Sequence, residues 1–407
     1  MISNRSAIVG TTTLFVIICL LVLQNTSRLG SSDNSLSSSP DASIKIHTPQ
    51  QGHRTLSDFT STFLKDYNTR KLKGNARIYN ETLGFEKIFV VSLPERSDKR
   101  DAFSLQARLS NLDFVMVDGV NGAEVSAKAL PYTMNLKAGQ VGCWRAEMNI
   151  IQEMVASNIQ SAMIFEDDAD WDVGLRAQMA ELARGARWLS GKETEDGHPR
   201  SPYGDDWDLL WVGHCSTRPR SGDNRRWVIP KDPTVTPPDH RREFEKPSME
   251  KWETGPNADN QTRLVFVPEW GSCTAAYALS LRGAQKMLYR QSLMPFNNPI
   301  DDGMGHMCGG GVAEGVPFNC IAPFPAIVGV SRPAGGANRA SDIEDRPQDD
   351  NVDISSHSEG LVFPVRQNID RLLRQEMEFV SEFPDVTGAK LHLANITSAR
   401  GHGEYLD

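Results

Sequence analysis

Two short apolar runs separated by a polar segment constrain the fold of this chain more than any other feature. Residues 88–91 (Ile-Phe-Val-Val) form the first run and residues 114–117 (Phe-Val-Met-Val) form the second. The polar stretch 98–109 between them has the length of a helix. Two strands joined by one helix form a βαβ unit, in which the strands run parallel. The pattern therefore predicts an α/β fold with a parallel sheet.

The same alternation continues along the chain. Five apolar residues fall at steps of three and four, as expected for one face of an amphipathic helix: Val141, Trp144, Met148, Ile151 and Val155. Further short apolar runs predict strands at 162–165, 208–212, 264–267 and 275–279. A helix is predicted at 281–290.

Two segments depart from this pattern. Residues 217–262 are rich in proline and in basic residues, which predicts a long surface insert. Residues 346–407 form a C-terminal segment. We predict that it carries a packing helix, because six of its apolar residues have helical spacing: Val365, Ile369, Leu372, Leu373, Met377 and Val380.

The N-terminal region predicts a membrane anchor. Residues 7–23 carry no charge and are just long enough to cross a bilayer as a helix. A cleaved signal peptide is the alternative, but the run is long for one and no small-residue cleavage site follows it. We therefore expect a short cytosolic tail (1–6), a transmembrane signal-anchor (7–23) and a luminal stem (24–84), of which the Ser-rich part lacks the apolar residues to fold.

This topology predicts a single-pass type II protein of the secretory pathway, in the Golgi or the endoplasmic reticulum. Five cysteines lie outside the apolar run, so an oxidising lumen permits disulfides but leaves at least one thiol without a partner in the chain. Asn80, Asn260 and Asn395 begin glycosylation sequons. The net charge of −9 argues against nucleic-acid binding.

A cluster of carboxylates is the strongest chemical signal. The apolar run 162–165 leads directly into Glu166, Asp167 and Asp168, and Asp170 follows. Ligands of open parallel sheets bind beyond the carboxyl ends of the strands. Several like charges there repel each other, and a hard divalent cation such as Mn²⁺ or Mg²⁺ relieves the repulsion. The alternative is a solvated acidic turn.

Asp301 and Asp302 form a second acidic pair, between Pro299 and a glycine-rich stretch. A carboxylate there can act as a general base, or it can simply cap a helix. His214 and His306 are weaker candidates for the border of the site or for metal ligands. The chain has neither a G-x-x-x-x-G-K-[ST] phosphate loop nor a G-x-S-x-G nucleophile elbow.

Six short motifs, in order over residues 86–345, resemble those of glycosyltransferase family 25. Residues 87–100 resemble its first strand and loop, with two Arg residues four apart, Arg96 and Arg100. The other five segments are Gly139-Gln140-Val141-Gly142-Cys143, Ile164-Phe165-Glu166-Asp167-Asp168, Tyr277-Ala278-Leu279-Ser280 with Gly283-Ala284, Pro299-Ile300-Asp301-Asp302, and Ser341-Asp342-Ile343.

The resemblance implies a GT-A fold, a Rossmann-like mixed sheet flanked by helices, over residues 85–345. It implies inverting transfer of a hexose, often galactose, from a UDP-sugar to a glycan or glycoprotein. The site residues that follow are Glu166, Asp168 and Asp170 for the metal, Ser92, Arg96, Arg100 and Asp167 for the donor, and Asp301 and Asp302 for catalysis. Asp301 is the expected base.

Two departures from the family pattern concern the acceptor more than the donor chemistry. Ala146 and Glu147 stand where the family often has Ser-His, and Gln140 replaces a Glu. Two other functions remain open: a catalytically silent, glycosyltransferase-like binding protein and a metal-dependent phosphoesterase that uses the same carboxylates.

Overall fold

The computed structural model describes residues 76–406, except for 192–198, 242, 257, 311–315 and 344–353. The predicted tail, the apolar run 7–23 and most of the stem lie outside the described residues. No helix within the described ranges is long and apolar enough to cross a membrane. The fold begins earlier than expected, because Ile78 and Leu83, assigned to the stem, are fully buried.

The strands of the described chain are β1 Lys87–Ser92, β2 Val115–Asp118, β3 Ser161–Glu166, β4 Ala169–Trp171, β5 Leu209–Gly213, β6 Ser216–Pro219, β7 Arg225–Ile229, β8 Arg263–Phe266, β9 Pro268–Ser272, β10 Ala276–Ser280, β11 Cys320–Phe324, β12 Val328–Arg332, β13 His357–Glu359, β14 Glu378–Val380, β15 Lys390–His392 and β16 His402–Tyr405. The helices are α1 Ser97–Leu109, α2 Ala138–Ala156, α3 Leu175–Leu189, α4 Glu250–Glu253, α5 Leu281–Leu288, α6 Ile300–Cys308, α7 Ile369–Leu373, α8 Pro384–Thr387 and α9 Leu393–Ile396.

A mixed sheet of nine strands, in the described part of the chain, forms the centre of the molecule. Its order is β16-β7-β8-β11-β5-β10-β3-β1-β2. Strand β1 pairs in parallel with β2 and β3, which confirms the predicted βαβ unit. Strand β10 is antiparallel to both of its neighbours, β3 and β5. The expectation of a mixed α/β sheet flanked by helices is therefore confirmed.

Helices cover both faces of the sheet, and the alternation of side chains along each strand builds a core on either side. Along β1, Ile88 and Val90 pack into one core and Phe89 packs into the other. Helices α1 and α3 contribute to the first core, and α2, α5 and α6 contribute to the second. Because Glu166 continues the alternation of Ala162 and Ile164, its side chain points toward the second core.

The prediction of a surface insert at 217–262 is wrong. This segment contributes strand β7 to the main sheet, where β7 pairs with β8 and β16. One of its acidic residues is paired from outside the segment: Arg263 donates to Asp232 at 2.8 Å, with both side chains buried. Buried pairing of this kind lets a polar, proline-rich segment enter the core, and composition alone does not reveal it.

The prediction of a single helix over 365–380 is also wrong. A 3-10 turn at Arg366–Asn368 leads into the short helix α7, and β14 follows it as a strand. The C-terminal segment is an integral part of the fold, since Leu361, Val362 and Phe363 are fully buried and β16 forms the edge of the main sheet.

Candidate functional site

The predicted carboxylate cluster lies where the parallel strands β1 and β3 end side by side. Val91 of β1 stands opposite Glu166 of β3 in the register of the sheet. Beyond this point Ser92 Oγ donates a hydrogen bond of 2.7 Å to Asp167 Oδ2, and both residues are buried. Two side chains predicted to bind the donor therefore bind each other and join the two strand ends.

Lys99 of α1 inserts its ammonium group among the carboxylates. Its Nζ lies 3.2 Å from Asp167 Oδ1, 3.8 Å from Asp168 Oδ2 and 2.9 Å from Asp342 Oδ2. Burial opposes the charge of Lys99, but the negative charges of Asp168, Asp167 and Asp342 together outweigh it and raise the pKa of the ammonium group. Part of the negative charge of the cluster is thus balanced from within the protein.

The two predicted donor-binding arginines have different surroundings. Arg96 pairs with Asp98 and with Asp342, and it also donates to the Arg339 carbonyl oxygen. Arg100 donates to the carbonyl oxygens of Ser92 and Leu93 and pairs with Asp118. Arg100 therefore fastens the loop after β1, whereas Arg96 borders the carboxylates through Asp342.

Glycines let the distant motifs meet at this edge. A Cβ atom on Gly139, in the first turn of α2, would lie 2.4 Å from the Ile343 carbonyl oxygen. A Cβ atom on Gly142 would lie 2.3 Å from the Val120 carbonyl oxygen. Both approaches exclude a side chain. The segment that carries Asp342 and the turn after β2 can therefore pack directly against α2.

Glu166 faces the side opposite Lys99. Its Oε1 accepts a hydrogen bond of 2.5 Å from Thr274 Oγ1. Burial, followed by the charge of Asp168, raises the pKa of Glu166. Asp168 Oδ1 is buried and has no hydrogen-bond partner in the described part of the chain. Adjacent like charges together with an unpartnered oxygen are the features that a bound cation would relieve.

Asp301 lies in the first turn of α6 and is joined to this cluster through the residue before Thr274. Its Oδ2 accepts a hydrogen bond of 2.7 Å from the backbone N–H of Cys273. Cys273 is fixed by a disulfide to Cys215, which lies between β5 and β6. Consecutive residues therefore bind Asp301 and Glu166, so the fold brings together the two acidic motifs that the sequence separates by more than a hundred residues.

Buried polar groups of α2 complete this side of the cluster. Glu147, which stands where the family often has His, accepts a hydrogen bond of 2.5 Å from the Tyr277 hydroxyl. Burial raises the pKa of Glu147 to about 7. Burial also raises the pKa of the Cys143 thiol, and the charges of Glu166, Glu147 and Asp301 add to that rise. Cys143 is therefore within electrostatic range of both acidic motifs.

The remaining candidates lie at the margin or elsewhere. Burial and then the charge of Asp301 raise the pKa of Asp302, an effect that the neighbouring His306 partly offsets. His214 is buried and its Nε2 lies 2.6 Å from the Pro323 carbonyl oxygen. Burial lowers the pKa of His214 to about 4, so its ring is neutral and serves the packing of β5 against β11.

Asp170 was predicted as a metal ligand, but protein donors occupy both of its oxygens. Oδ1 accepts from Gln106 Nε2 and the Trp171 N–H, and Oδ2 accepts from Ser358 Oγ and the Arg366 N–H. Its side chain is fully buried. The arrangement explains Asp170 as the anchor of the C-terminal segment against β4.

The site fits a divalent cation only in part. Among the described residues, no group of three or more His, Cys, Asp or Glu side chains is arranged to hold a metal ion. Glu166 and Asp168 nevertheless offer two adjacent carboxylates, one with an unpartnered oxygen. Protein Mg²⁺ sites often use one or two carboxylates and take their other ligands from water and substrate phosphates. Two protein ligands are therefore compatible with a cation that arrives with a diphosphate.

Size alone does not locate the site. A cleft of about 530 Å³ lies beside Ser161 and Ser280, at the sheet edge opposite Glu166. Arginines on the surface of the protein line it: Arg77, Arg200 and Arg282. The carboxylates, the basic side chains and the motif glycines instead come together beyond the carboxyl ends of β1 and β3. This region is therefore the candidate site.

Comparisons with known proteins find a family resemblance over part of the chain. Residues 85–185, which include β1, α1, α2 and the carboxylate cluster, match the model of "Glycosyltransferase family 25 (LPS biosynthesis protein)". This region of the chain is therefore similar to glycosyltransferase family 25. The matched region contains the first three of the six motifs on which the resemblance rested.

Curated relatives extend the similarity beyond that region. Procollagen galactosyltransferase 1-B of Xenopus laevis is 22% identical over 272 residues, which is 61% of this chain and 37% of the relative. Inactive glycosyltransferase 25 family member 3 of Homo sapiens is 25% identical over 54% of this chain and 31% of its own length. Procollagen galactosyltransferase 2 of Mus musculus is 21% identical over 55% and 30%, respectively. The chain thus spans about a third of the length of these relatives.

Sequence reasoning missed Lys99 and Asp342 as parts of the site. Both lie inside motifs that were recognised, the loop after β1 and Ser341-Asp342-Ile343. Their role depends on a contact between residues more than two hundred positions apart. The signal available in the sequence was a basic residue, Lys99, in one motif and an acidic residue, Asp342, in another.

Proposed function

We propose that this chain is a glycosyltransferase that transfers a hexose, galactose first among the candidates, from a UDP-sugar to a glycan or glycoprotein acceptor. The observation that carries the proposal is the meeting of Glu166 and Asp168 with Asp301 at one sheet edge. The match of residues 85–185 to the family 25 model and the similarity to procollagen galactosyltransferases support the donor chemistry and the choice of sugar.

Asp168 and Glu166 would hold a Mn²⁺ or Mg²⁺ ion. When bound, such an ion neutralises charge on the diphosphate leaving group. Arg96 and Lys99 supply further positive charge at the same edge, and their present partner Asp342 competes with an incoming phosphate for both of them. Donor binding would therefore exchange ion pairs with Asp342 for ion pairs with the donor.

Asp301 would act as the general base in an inverting displacement. The acceptor hydroxyl oxygen forms a bond to the anomeric carbon as the bond from that carbon to the diphosphate oxygen breaks and UDP leaves. The hydroxyl proton passes to Asp301. One oxygen of Asp301 is fixed by the Cys273 N–H, which orients the carboxylate while its other oxygen receives the proton.

The proposal includes a cellular setting. Residues 7–23 would anchor the protein as a single-pass type II membrane protein, with its catalytic domain in the lumen of the Golgi or the endoplasmic reticulum. The disulfides Cys215–Cys273 and Cys308–Cys320 support an oxidising compartment. Carbonate extraction tests the anchor: full-length protein should stay in the membrane fraction, and its release would contradict the assignment.

UDP release tests the activity most simply. The purified full-length protein is incubated with UDP-galactose, UDP-glucose, UDP-xylose and UDP-N-acetylglucosamine, with Mn²⁺, with Mg²⁺ or with EDTA. We expect UDP release from one donor with the metal and none with EDTA. Asp370→Asn is the matched control for Asp→Asn variants of the site, because the Asp370 carboxylate is 85% exposed and lies outside the six motifs. UDP release that is insensitive to EDTA would contradict the metal assignment.

A second candidate is a catalytically silent binding protein. Two observations favour it: one relative is named inactive, and Lys99 already neutralises part of the carboxylate cluster. Metal-dependent binding of UDP-sugar without UDP release from any donor, with glycan acceptors present, would support this alternative. Hydrolysis of simple phosphate esters without a sugar nucleotide would instead support a phosphoesterase.

A further inference from the structure

An aromatic pair at the surface, exposed Phe244 and half-buried Trp270, lies next to the helix that carries Asp301. Phe244 is 73% exposed, and its ring centroid lies 5.7 Å from that of Trp270, with the two planes at 60°. Phe244 precedes α4 and Trp270 belongs to β9. Two aromatic rings inclined to each other at the surface form a small concave apolar surface.

The local backbone turns Trp270 away from the core and toward α6. The next residue, Gly271, faces inward, since a Cβ atom there would lie 2.7 Å from Cζ3 of Trp211. Side chains alternate along a strand, so Trp270 points outward. A Cβ atom on Gly305 of α6 would lie 3.3 Å from Cδ1 of Trp270. The indole ring therefore lies directly against the helix.

This contact places the aromatic pair close to the proposed base. Gly305 lies four residues after Asp301, which is a rise of about 6 Å along a helix. Trp270 is also three residues before Cys273, whose N–H binds Asp301, and three residues of strand span roughly 10 Å. The distance from the aromatic pair to the base is thus about the span of one or two sugar units.

Charged groups flank the rings. Arg218 bridges two carboxylates, at 3.2 Å from Nη1 to Glu245 Oε1 and at 2.9 Å from Nε to Glu269 Oε1. Glu245 follows Phe244 directly and Glu269 precedes Trp270 directly. All three charged side chains are partly exposed. Fixed ionic donors and acceptors next to an aromatic face can hydrogen-bond neighbouring hydroxyl groups.

We propose that Phe244 and Trp270, with the Arg218–Glu245–Glu269 bridge, form a binding surface for a pyranose ring of the acceptor glycan. The inference rests on the proposed transferase function and deepens it, because it assigns a sugar rather than a bare peptide to the acceptor site. The apolar C–H face of a pyranose matches the rings, and its equatorial hydroxyls match the charged rim.

The size of the surface favours a small ligand over a protein partner. A large aromatic side chain buries about 150–250 Å² in all, so two rings offer well under the roughly 800 Å² that each partner of a stable protein complex buries. A single sugar ring needs only such a surface.

Sugar binding and transfer are measured together on the full-length protein. Saturation-transfer NMR uses the methyl glycosides of galactose, glucose, mannose and N-acetylglucosamine as probes, and transfer kinetics use the acceptor that the wild type accepts. The variants are Phe244→Ala, Trp270→Ala and Trp270→Phe. Tyr405→Ala is the control, because Tyr405 of β16 is 65% exposed and meets Trp188 of α3 at 5.4 Å and 61°, in a similar aromatic pair.

We expect Phe244→Ala and Trp270→Ala to remove the saturation-transfer signal of at least one glycoside and to raise the acceptor KM about tenfold, the size of one aromatic contact. Acceptor-independent release of UDP should stay unchanged, Trp270→Phe should retain most binding, and Tyr405→Ala should have no effect. An unchanged acceptor KM and sugar signal in both alanine variants would overturn the inference while the transferase activity stands. If the wild type releases no UDP, the proposed function fails. The sugar-binding surface is still tested in that case: loss of the sugar signal in Phe244→Ala supports it, and persistence of the signal contradicts it.

Discussion

Two pairs of carboxylates within seven residues of one another have opposite surroundings. Glu166 and Asp168 lie at the carboxyl end of β3, where like charges are adjacent and Asp168 Oδ1 has no partner in the described chain. Asp170 and Asp172 are fully buried and accept hydrogen bonds from several protein donors: Gln106, Ser358, Gln178, Val362 and Phe363.

The difference separates binding from structure. A buried carboxylate whose oxygens are satisfied by the protein stabilises the fold and has no capacity left for a ligand. A carboxylate left beside another charge with an unpartnered oxygen lowers stability until a cation arrives. We therefore assign Glu166 and Asp168 to the donor site, and Asp170 and Asp172 to the attachment of the C-terminal segment.

The largest effect should follow from changing the open pair. We predict that Asp168→Asn lowers sugar transfer at least ~10³-fold, because a metal ion supplies several kcal/mol of transition-state stabilisation. Its free energy of unfolding without metal should stay the same or rise, since one charge leaves a repelling cluster. UDP release assays and urea denaturation measure the two quantities. Near-wild-type transfer would show that the cluster is only an acidic turn.

A comparable effect is expected at the proposed base. Asp301→Asn preserves the shape and the hydrogen bond from Cys273 but cannot take up a proton. Transfer should fall by roughly 10²–10⁴-fold, with little change in UDP-sugar affinity. Single-turnover kinetics and titration of the donor separate the two. A collapse of donor affinity would place Asp301 in the donor site, and a product that retains the donor's α configuration would remove the need for a base.

Substitutions in the buried pair, Asp170 and Asp172, should change the stability of the protein rather than its ligand binding. Asp170→Ala leaves the donors of Gln106, Ser358 and Arg366 without their acceptor, so we predict a loss of about 3 kcal/mol in the free energy of unfolding. Asp370→Ala, an exposed carboxylate, is the control and should change stability little. Urea denaturation measures both. Loss of metal binding in a folded Asp170→Ala protein would restore Asp170 as a ligand.

The smallest effect concerns pH. Burial raises the pKa of Asp172, and separately that of Glu147, to about 7. Each group therefore binds its proton more tightly in the folded state than in the unfolded state. Their contribution to stability is present at low pH and is lost as pH rises toward 7. The free energy of unfolding should fall between about pH 4 and pH 7, and less steeply in Asp172→Asn. Stability that rises over this interval would contradict the assignment.

The local pattern of the sequence was sufficient where neighbouring residues determine the structure. The βαβ unit, the buried strand before Glu166 and the helix after β10 all depend on short apolar periodicity, and all three are present. The two glycines of the α2 motif also have a physical reason, since the backbones of Ile343 and Val120 approach them closely.

Non-local contacts explain what the sequence could not predict. Strand β7 pairs with β8 and β16, and Arg263 neutralises Asp232 just after it, and neither contact can be read from local composition. Lys99 and Asp342 meet beside the carboxylates although they are more than two hundred residues apart in the chain. Asp170 resembles its neighbours in the motif, and only the donors from the C-terminal segment show that its carboxylate is already satisfied.

Calorimetric titration of Mn²⁺ together with UDP tests the central claim most directly, with wild type, Asp168→Asn and Asp172→Asn compared under conditions in which all three are folded. If Glu166 and Asp168 bind the metal and the donor, wild type and Asp172→Asn should bind the two ligands interdependently, and Asp168→Asn should bind neither measurably. Equal binding by wild type and Asp168→Asn, or loss of binding in Asp172→Asn alone, would contradict the separation of a ligand-binding pair from a structural pair.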